Sequence, residues 1–189
     1  MTVATLKNDP LNAWCDAFEA GQERMHTMTR RHSREQFNFK PAPGRWSVGQ
    51  CIEHLSVSMR MYLDVMEPVI ETADRRNDAP YDGGPFMGRM LLRALRKPGM
   101  RYPAPRSFQP SSAPLNPDSV REDFDQQAIR MQQAIERCDG LALGTIKMPW
   151  PVLRLVRISL AQAFELQVLH TDRHLKQTER VTRADNFPG

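Results

Sequence analysis

The sequence is poor in cysteine and contains no long apolar run. Cys15, Cys51 and Cys138 are the only cysteines in 189 residues, and each lies on an apolar stripe with helical spacing. An odd number of widely spaced cysteines does not suit a disulfide framework, so we expect buried free thiols in a reducing compartment. No apolar run approaches the roughly 18–20 residues of a membrane span, and the opening residues lack the apolar segment of a secretory signal. These features predict a cytoplasmic protein without a membrane partner.

Acidic residues are missing from one segment of a chain whose charge is otherwise balanced. The net charge is +4, but residues 89–106 contain six basic residues and no acidic one. A nucleic-acid interface needs a basic face with stacking or base-reading residues, whereas most aromatic residues here lie on apolar stripes. We therefore expect no nucleic-acid partner and interpret the segment as a local preference for anions. On charge alone, Arg101 and Arg106 are candidate substrate-binding residues.

Convincing strand patterns are also missing, and four long segments show helical spacing of apolar residues instead. Their predicted starts are Asp9-Pro10 for helix one, the capping box Ser47–Gln50 for helix two, the capping box Ser119–Glu122 for helix three and Leu153 for helix four. Helix one is expected to fade near residue 34, and helix four to end near residue 182. These four helices predict an all-α fold, a four-helix bundle in a single domain over residues 1–189.

The connection between helices two and three, residues 72–117, is unusually long and rich in proline and glycine. Within it, the stretch PFMGRMLLRALRK predicts a short basic amphipathic helix. Long connections of this kind are often lids or binding elements. Two other interpretations stay open, namely an ordered excursion packed over one end of the bundle and a helix lying on a membrane surface.

Three histidines are candidates for a metal site. His170 and His174 are four residues apart in helix four, so their imidazoles lie on one helix face, and His54 in helix two is the third candidate. Three neutral imidazoles bind a divalent ion and leave a position open, as in catalytic sites. Thr171 occupies the position where a zinc protease of the HExxH type carries its general base, which argues against proteolysis. Each histidine also has a simpler interpretation as a core or boundary residue.

The charge of such a site indicates a class of substrate. Neutral ligands leave the ion its full positive charge, so the site would favour a thiolate, a carboxylate or an ionised water. The basic connection favours ligands of the same sign. We expect zinc or nickel, with manganese or iron as alternatives. Cys51 could approach the ion from the side of His54, although its apolar stripe favours a core position, and Glu53 is not placed in the site by adjacency alone.

Two motifs resemble the DinB-like superfamily, which includes the YfiT-type proteins. They are RWSVGQCIEHL at the start of helix two and HTDRHLKQ over residues 170–177. The resemblance implies an up-down-down-up four-helix bundle, a long crossover between helices two and three, and a metal site formed by His54, His170 and His174. It also implies dimers, and activities such as metal-dependent hydrolysis, S-transfer with bacillithiol, mycothiol or glutathione, and thiol-dependent maleylpyruvate isomerisation.

Three functional hypotheses follow. The first is a metal-dependent enzyme acting on thiol-bearing or anionic small molecules, of the S-transferase, hydrolase or isomerase type, with a homodimer as its possible assembly. The second is a non-catalytic metal-binding or stress-response protein. The third is a bundle in which the histidines are only structural. They differ in what they predict for metal content and turnover, so metal analysis separates the third from the first two.

Overall fold

The computed structural model describes Leu6 and residues 9–74, 84–97 and 103–189, and this part of the chain is mostly helical. The elements in chain order are α1 (Asp9–Thr29), α2 (Arg34–Asn38), α3 (Val48–Glu71), α4 (Phe86–Arg96), a 3-10 turn (Arg106–Phe108), α5 (Pro117–Arg137), β1 (Lys147–Trp150), β2 (Leu153–Ser159) and α6 (Leu160–Thr182). The predicted all-α bundle is confirmed. The short antiparallel hairpin of β1 and β2 corrects the expectation that no strand forms.

The start of α3 is the one that the sequence predicts. Ser47 accepts a hydrogen bond from the amide of Gln50, and the Gln50 side chain accepts one from the amide of Ser47. This reciprocal pair satisfies two amides that the first helical turn leaves without partners. The start of α3 fixes the orientation of the turn that carries His54.

The predicted start of α5 is wrong by three residues. Asn116, not Ser119, is the N-cap: its side chain accepts hydrogen bonds from the amides of Asp118 and Ser119. Pro117 occupies the first helical position, where its missing N–H costs nothing. The Asn-Pro pair is therefore the stronger start signal here.

The predicted start of α6 at Leu153 is also wrong, because residues 153–159 form β2. Ser159 caps α6 through a capping box with Gln162. Helix α1 likewise ends earlier than expected, at Thr29, and a separate short helix, α2, follows after Ser33.

The bundle consists of α1, α3, α5 and α6, and the side-chain contacts between them establish its topology. Two helices are parallel if the residue numbers of both increase from one contact between them to the next. They are antiparallel if the numbers increase in one helix and decrease in the other. The pairs are Trp14–Phe164 and Arg24–Glu179 between α1 and α6, Gln22–Gln132 and Thr29–Arg121 between α1 and α5, Cys51–Thr178 and Ser58–Gln167 between α3 and α6, and Arg60–Asp123 and Glu67–Arg130 between α3 and α5. Thus α1 and α6 run in one direction and α3 and α5 in the other, which confirms the up-down-down-up topology.

The core lies between these four helices and contains all three cysteines. Cys15, Cys51 and Cys138 are buried and free, as predicted. Burial raises the pKa of the Cys51 thiol to about 12, so this thiol is protonated at neutral pH. In the described ranges, no helix is both long and apolar enough to cross a membrane.

Candidate metal centre

The three histidines meet because α3 and α6 are antiparallel. His54 lies in the second turn of α3, and His170 and His174 lie on successive turns of α6. One ring nitrogen of each lies within 4.8 Å of the others, and the three ring centroids are 4.6–4.9 Å apart. The structure therefore brings together all three histidines that the sequence singles out.

A backbone carbonyl sets the tautomer of His54. Nδ1 of His54 lies 2.6 Å from the carbonyl oxygen of Phe108. Because a carbonyl oxygen only accepts hydrogen bonds, Nδ1 carries the hydrogen and Nε2 keeps its lone pair. Nε2 in turn lies 3.0 Å from Nε2 of His170. A hydrogen bond at the far nitrogen is the usual way in which proteins orient a ligating imidazole.

The carbonyl of Phe108 is held in place by the first turns of α3. The Gln50 amide donates to the carbonyl oxygen of Ser111 (2.7 Å), and the Glu53 carboxylate accepts from the amide of Ser111 (2.7 Å). Residues 50, 53 and 54 therefore all contact the end of the crossover that leads into α5. This segment supports the orientation of His54. Glu53 lies outside the histidine cluster and holds the segment in place through Ser111.

All three imidazoles are held in their neutral form. Burial lowers the pKa of His54, lowers that of His170 well below its usual value, and lowers that of His174 to about 3. Unfavourable interaction with positive charge adds to the effect: from His174, His54 and Arg173 at His170, and from His54 and Arg173 at His174. The cluster therefore offers lone pairs at neutral pH and has a positive electrostatic surrounding.

Trp46 covers one side of the cluster. Its ring centroid lies 4.7 Å from that of His54 and 5.7 Å from that of His174, with the latter pair stacked at 27°. Trp46 directly precedes the N-cap Ser47, so the start of α3 positions the indole together with His54. The indole limits water access and restricts the movement of two of the three rings.

The donor set fits a divalent metal ion. Each of two facing nitrogens can be about 2.0–2.1 Å from one zinc ion, and the 3.0 Å between Nε2 of His54 and Nε2 of His170 allows this. Within the described residues, Nδ1 of His170 and Nδ1 of His174 are buried without a hydrogen-bond partner. A buried polar atom left unpaired costs about 1–3 kcal/mol. The cluster holds three nitrogens together even though two buried nitrogens are left without hydrogen-bond partners. Such an arrangement suits a binding site better than a structural core.

The remaining candidates from the sequence lie elsewhere. The Cys51 thiol is buried and hydrogen-bonded to Thr178, outside the histidine group. Arg106 is exposed in the 3-10 turn that ends at Phe108, and Arg101 lies outside the described residues. A cleft of about 410 Å³ further along α3 includes none of the three histidines in its lining, which is Met61, Asp64, Val65, Ser107, Pro151 and Arg154.

Sequence reasoning missed three groups that shape the site. Trp46 carries a signal, since an aromatic residue immediately before an N-cap sits at the entry to the helix that bears His54. Arg173 carries one as well, since it directly precedes His174. The Phe108 carbonyl has none, because it is a backbone atom that the tertiary fold brings to His54 from 54 residues away.

The comparisons with known proteins agree with this geometry. A family model described as the DinB superfamily matches residues 17–178, a span that includes all three histidines. No curated protein and no solved structure matches the chain. The match therefore establishes the family but no activity.

Proposed function

Because the chain belongs to the DinB superfamily, we propose that its three histidines bind a divalent metal ion and that the loaded site acts on thiol-bearing or anionic small molecules. The observation that carries this proposal is that the Nε2 atoms of His54 and His170 face each other. Nε2 of His54 has a free lone pair, because the hydrogen bond to the Phe108 carbonyl places the proton on Nδ1. Zinc or nickel suits three imidazoles best.

The charge around the site supports an anionic substrate. The three ligands are neutral, and Arg173 adds positive potential at His170 and His174. A divalent ion held there supplies Lewis-acid chemistry, which favours the ionised form of a bound thiol or water. Trp46 keeps one side of the rings dry, so a substrate approaches from another side. These properties suit an S-transferase, hydrolase or isomerase that uses a low-molecular-weight thiol.

The chain's own residues perform the positioning. The carbonyl oxygen of Phe108 accepts a hydrogen bond from Nδ1–H of His54, so the proton stays on Nδ1 and Nε2 carries none. Glu53 and Gln50 hold the segment that carries this carbonyl. The buried, unreactive cysteines support a reducing, cytoplasmic setting, in which low-molecular-weight thiols are abundant.

The first test is elemental analysis of protein purified without a nickel column. We expect about one divalent ion per chain, and loss of that ion in His174→Ala. The matched control is His26→Ala, because His26 lies on α1 in a pair with Asp125, outside the cluster. A metal-free wild type that shows no thermal shift with zinc, nickel or manganese would contradict metal binding altogether.

The second test addresses turnover. Metal-loaded protein is mixed with a thiol, such as glutathione, and a panel of electrophiles, and product formation is compared with His54→Ala, His170→Ala and His174→Ala. We expect activity in the wild type and in His26→Ala, and its loss in the three cluster variants. Bound metal without any rate enhancement would instead indicate a non-catalytic metal-binding protein.

A further inference from the structure

Among the described residues, the exposed large apolar side chains are concentrated on two neighbouring elements. Of the six large apolar side chains that are exposed in the described residues, five lie on α4 and β2. These two elements contact each other. The five residues, which we call the α4–β2 patch, are Phe86, Met87, Met90, Leu153 and Leu155. Scattered apolar residues need no explanation, but such a cluster indicates an interaction surface.

The packing of α4 explains why its apolar residues are divided. Gly88 and Leu92 are buried, and a Cβ atom on Gly88 would collide with the Gln162 side chain of α6. At 100° per residue, Phe86 and Met90 lie on the opposite side of the helix. The helix therefore docks on the bundle by one face and presents Phe86 and Met90 outward.

The hairpin adds a second projecting element. Leu155 is 93 % exposed and Leu153 is 51 % exposed. Residues 153, 155 and 157 alternate with residues 154, 156 and 158, of which Ile158 is buried in the core. Leu153, Leu155 and Arg157 therefore share the outer face of β2. The outer face of β2 therefore adds two exposed leucines to the exposed apolar residues of α4.

The two segments that carry the patch contain charged residues of one sign only. Residues 84–97 and 147–159 include seven basic residues and no acidic one. The basic residues are Arg89, Arg93, Arg96, Lys97, Lys147, Arg154 and Arg157. Two of them have acidic residues from other elements nearby: Arg96 is paired with Glu165, and Arg154 shares a cleft with Asp64. Apolar side chains with basic residues around them are the arrangement of proteins that bind at the interface of anionic membranes.

We propose that the α4–β2 patch binds the surface of anionic phospholipid bilayers. Phe86, Met90 and Leu155 enter the boundary between headgroups and acyl chains, while the basic residues contact the phosphate groups. A second copy of the chain fits less well, because a symmetric contact through this patch would bring two basic surfaces together. Membrane binding would differ from the expectation of no membrane partner. It would agree with the interpretation of α4 as a helix that lies on a membrane surface.

The test is co-sedimentation with vesicles of phosphatidylcholine alone and of phosphatidylcholine mixed with phosphatidylglycerol. We expect binding to the mixed vesicles, little binding to the neutral ones, and loss of binding as salt rises from about 0.1 M to 1 M, where the Debye length falls from about 10 to 3 Å. Equal binding to both vesicles, or none to either, would overturn the proposal. Metal-depleted protein is used throughout, so the result does not depend on the histidine site.

Matched variants separate the patch from the rest of the surface. Phe86→Ser with Met90→Ser should remove vesicle binding, whereas Ile129→Ser, the exposed apolar residue on α5, should leave it unchanged. Arg93→Gln with Lys97→Gln should weaken binding about 30-fold, since each basic residue near an anionic surface contributes about 1 kcal/mol. Lys40→Gln, an exposed lysine elsewhere, is the control. Circular dichroism confirms that each variant is folded.

Two outcomes would assign the patch differently. If Ile129→Ser or Lys40→Gln weakens binding as much as the patch variants do, the attraction is nonspecific and the proposal is wrong. Light scattering supplies the other outcome: a dimer that Phe86→Ser with Met90→Ser converts to a monomer, without vesicle binding by the wild type, would show that the occupant is a second copy of the chain.

Discussion

At the scale of single residues, the clustered histidines are held in their neutral form, so their protonation opposes folding. The pKa of His174 is lowered to about 3, whereas an unfolded histidine titrates near 6.5. Between these values the unfolded chain binds more protons than the native one. In metal-free protein, the contribution of the neutral, buried imidazole to the free energy of unfolding is therefore complete above about pH 6.5. It is lost as the pH falls toward 3.

The measurement is the urea midpoint of metal-free protein between about pH 7.5 and pH 4.5. We expect the midpoint to fall with pH in the wild type and to fall less in His174→Gln, which removes one of the titrating groups. Parallel curves for the two proteins would show that burial of His174 does not drive the pH dependence.

The sequence predicts the histidines better than it predicts what surrounds them. His170 and His174 can be read from their spacing in a helix, because that spacing alone places them on one face. Trp46 and the Phe108 carbonyl depend on where the start of α3 and the end of the crossover meet. No local pattern determines such a meeting, since it follows from the packing of segments that are far apart in the chain.

At the scale of elements, the first turns of α3 hold the crossover that orients His54. Glu53→Ala removes the acceptor for the Ser111 amide and frees the segment that carries the Phe108 carbonyl. We expect zinc affinity to fall about tenfold, the lower end for groups that orient metal ligands. Competition with a chromogenic chelator measures the affinity.

A conservative substitution of Glu53 tests whether its hydrogen bond to the Ser111 amide is the cause. Glu53→Gln keeps a carbonyl oxygen that can accept from the Ser111 amide, so its zinc affinity should stay close to that of the wild type. If Glu53→Gln loses as much affinity as Glu53→Ala, the charge of Glu53 matters rather than its hydrogen bond.

The contact between α4 and α6 makes a second prediction at this scale. Glycine to alanine in an exposed helix stabilises a protein by up to about 1 kcal/mol. Gly88→Ala should do the opposite and destabilise by about 1–3 kcal/mol, because the added Cβ meets the Gln162 side chain. Gln162 also completes the capping box of α6 and donates to the carbonyl oxygen of Pro85. Chemical denaturation measures the change, and a stabilised variant would show that Gln162 can move aside.

Element boundaries are predictable where the signal is local. The capping box Ser47–Gln50 marks the start of α3 because both partners lie within one turn. Leu153 and Val156 of β2 have helical spacing with Leu160, the first residue of α6, by coincidence. The capping box Ser159–Gln162 is the signal that ends the strand and begins α6. The pairing of β2 with β1 decides the structure of this segment, and pairing is not a property of its own sequence.

At the scale of the whole molecule, a metal ion held by the cluster would join two antiparallel helices. His54 belongs to α3, and His170 and His174 belong to α6. These helices lie on opposite sides of the long crossover in sequence, so the ion would link the two halves of the chain. Binding to the native state alone therefore stabilises the bundle as a unit.

The size of this effect gives the most direct test of the fold and the site together. At a zinc concentration 100 times the Kd, the free energy of unfolding should rise by about 2.7 kcal/mol. His54→Ala should abolish the rise, whereas Cys51→Ala should lower the stability of the metal-free protein and leave the rise intact, because Cys51 is core and lies outside the histidine group. Chemical denaturation with zinc and with a chelator measures both quantities. If Cys51→Ala also abolished the rise, the thiol would be a ligand despite its burial, and the packing of α3 against α6 would have to change when zinc binds.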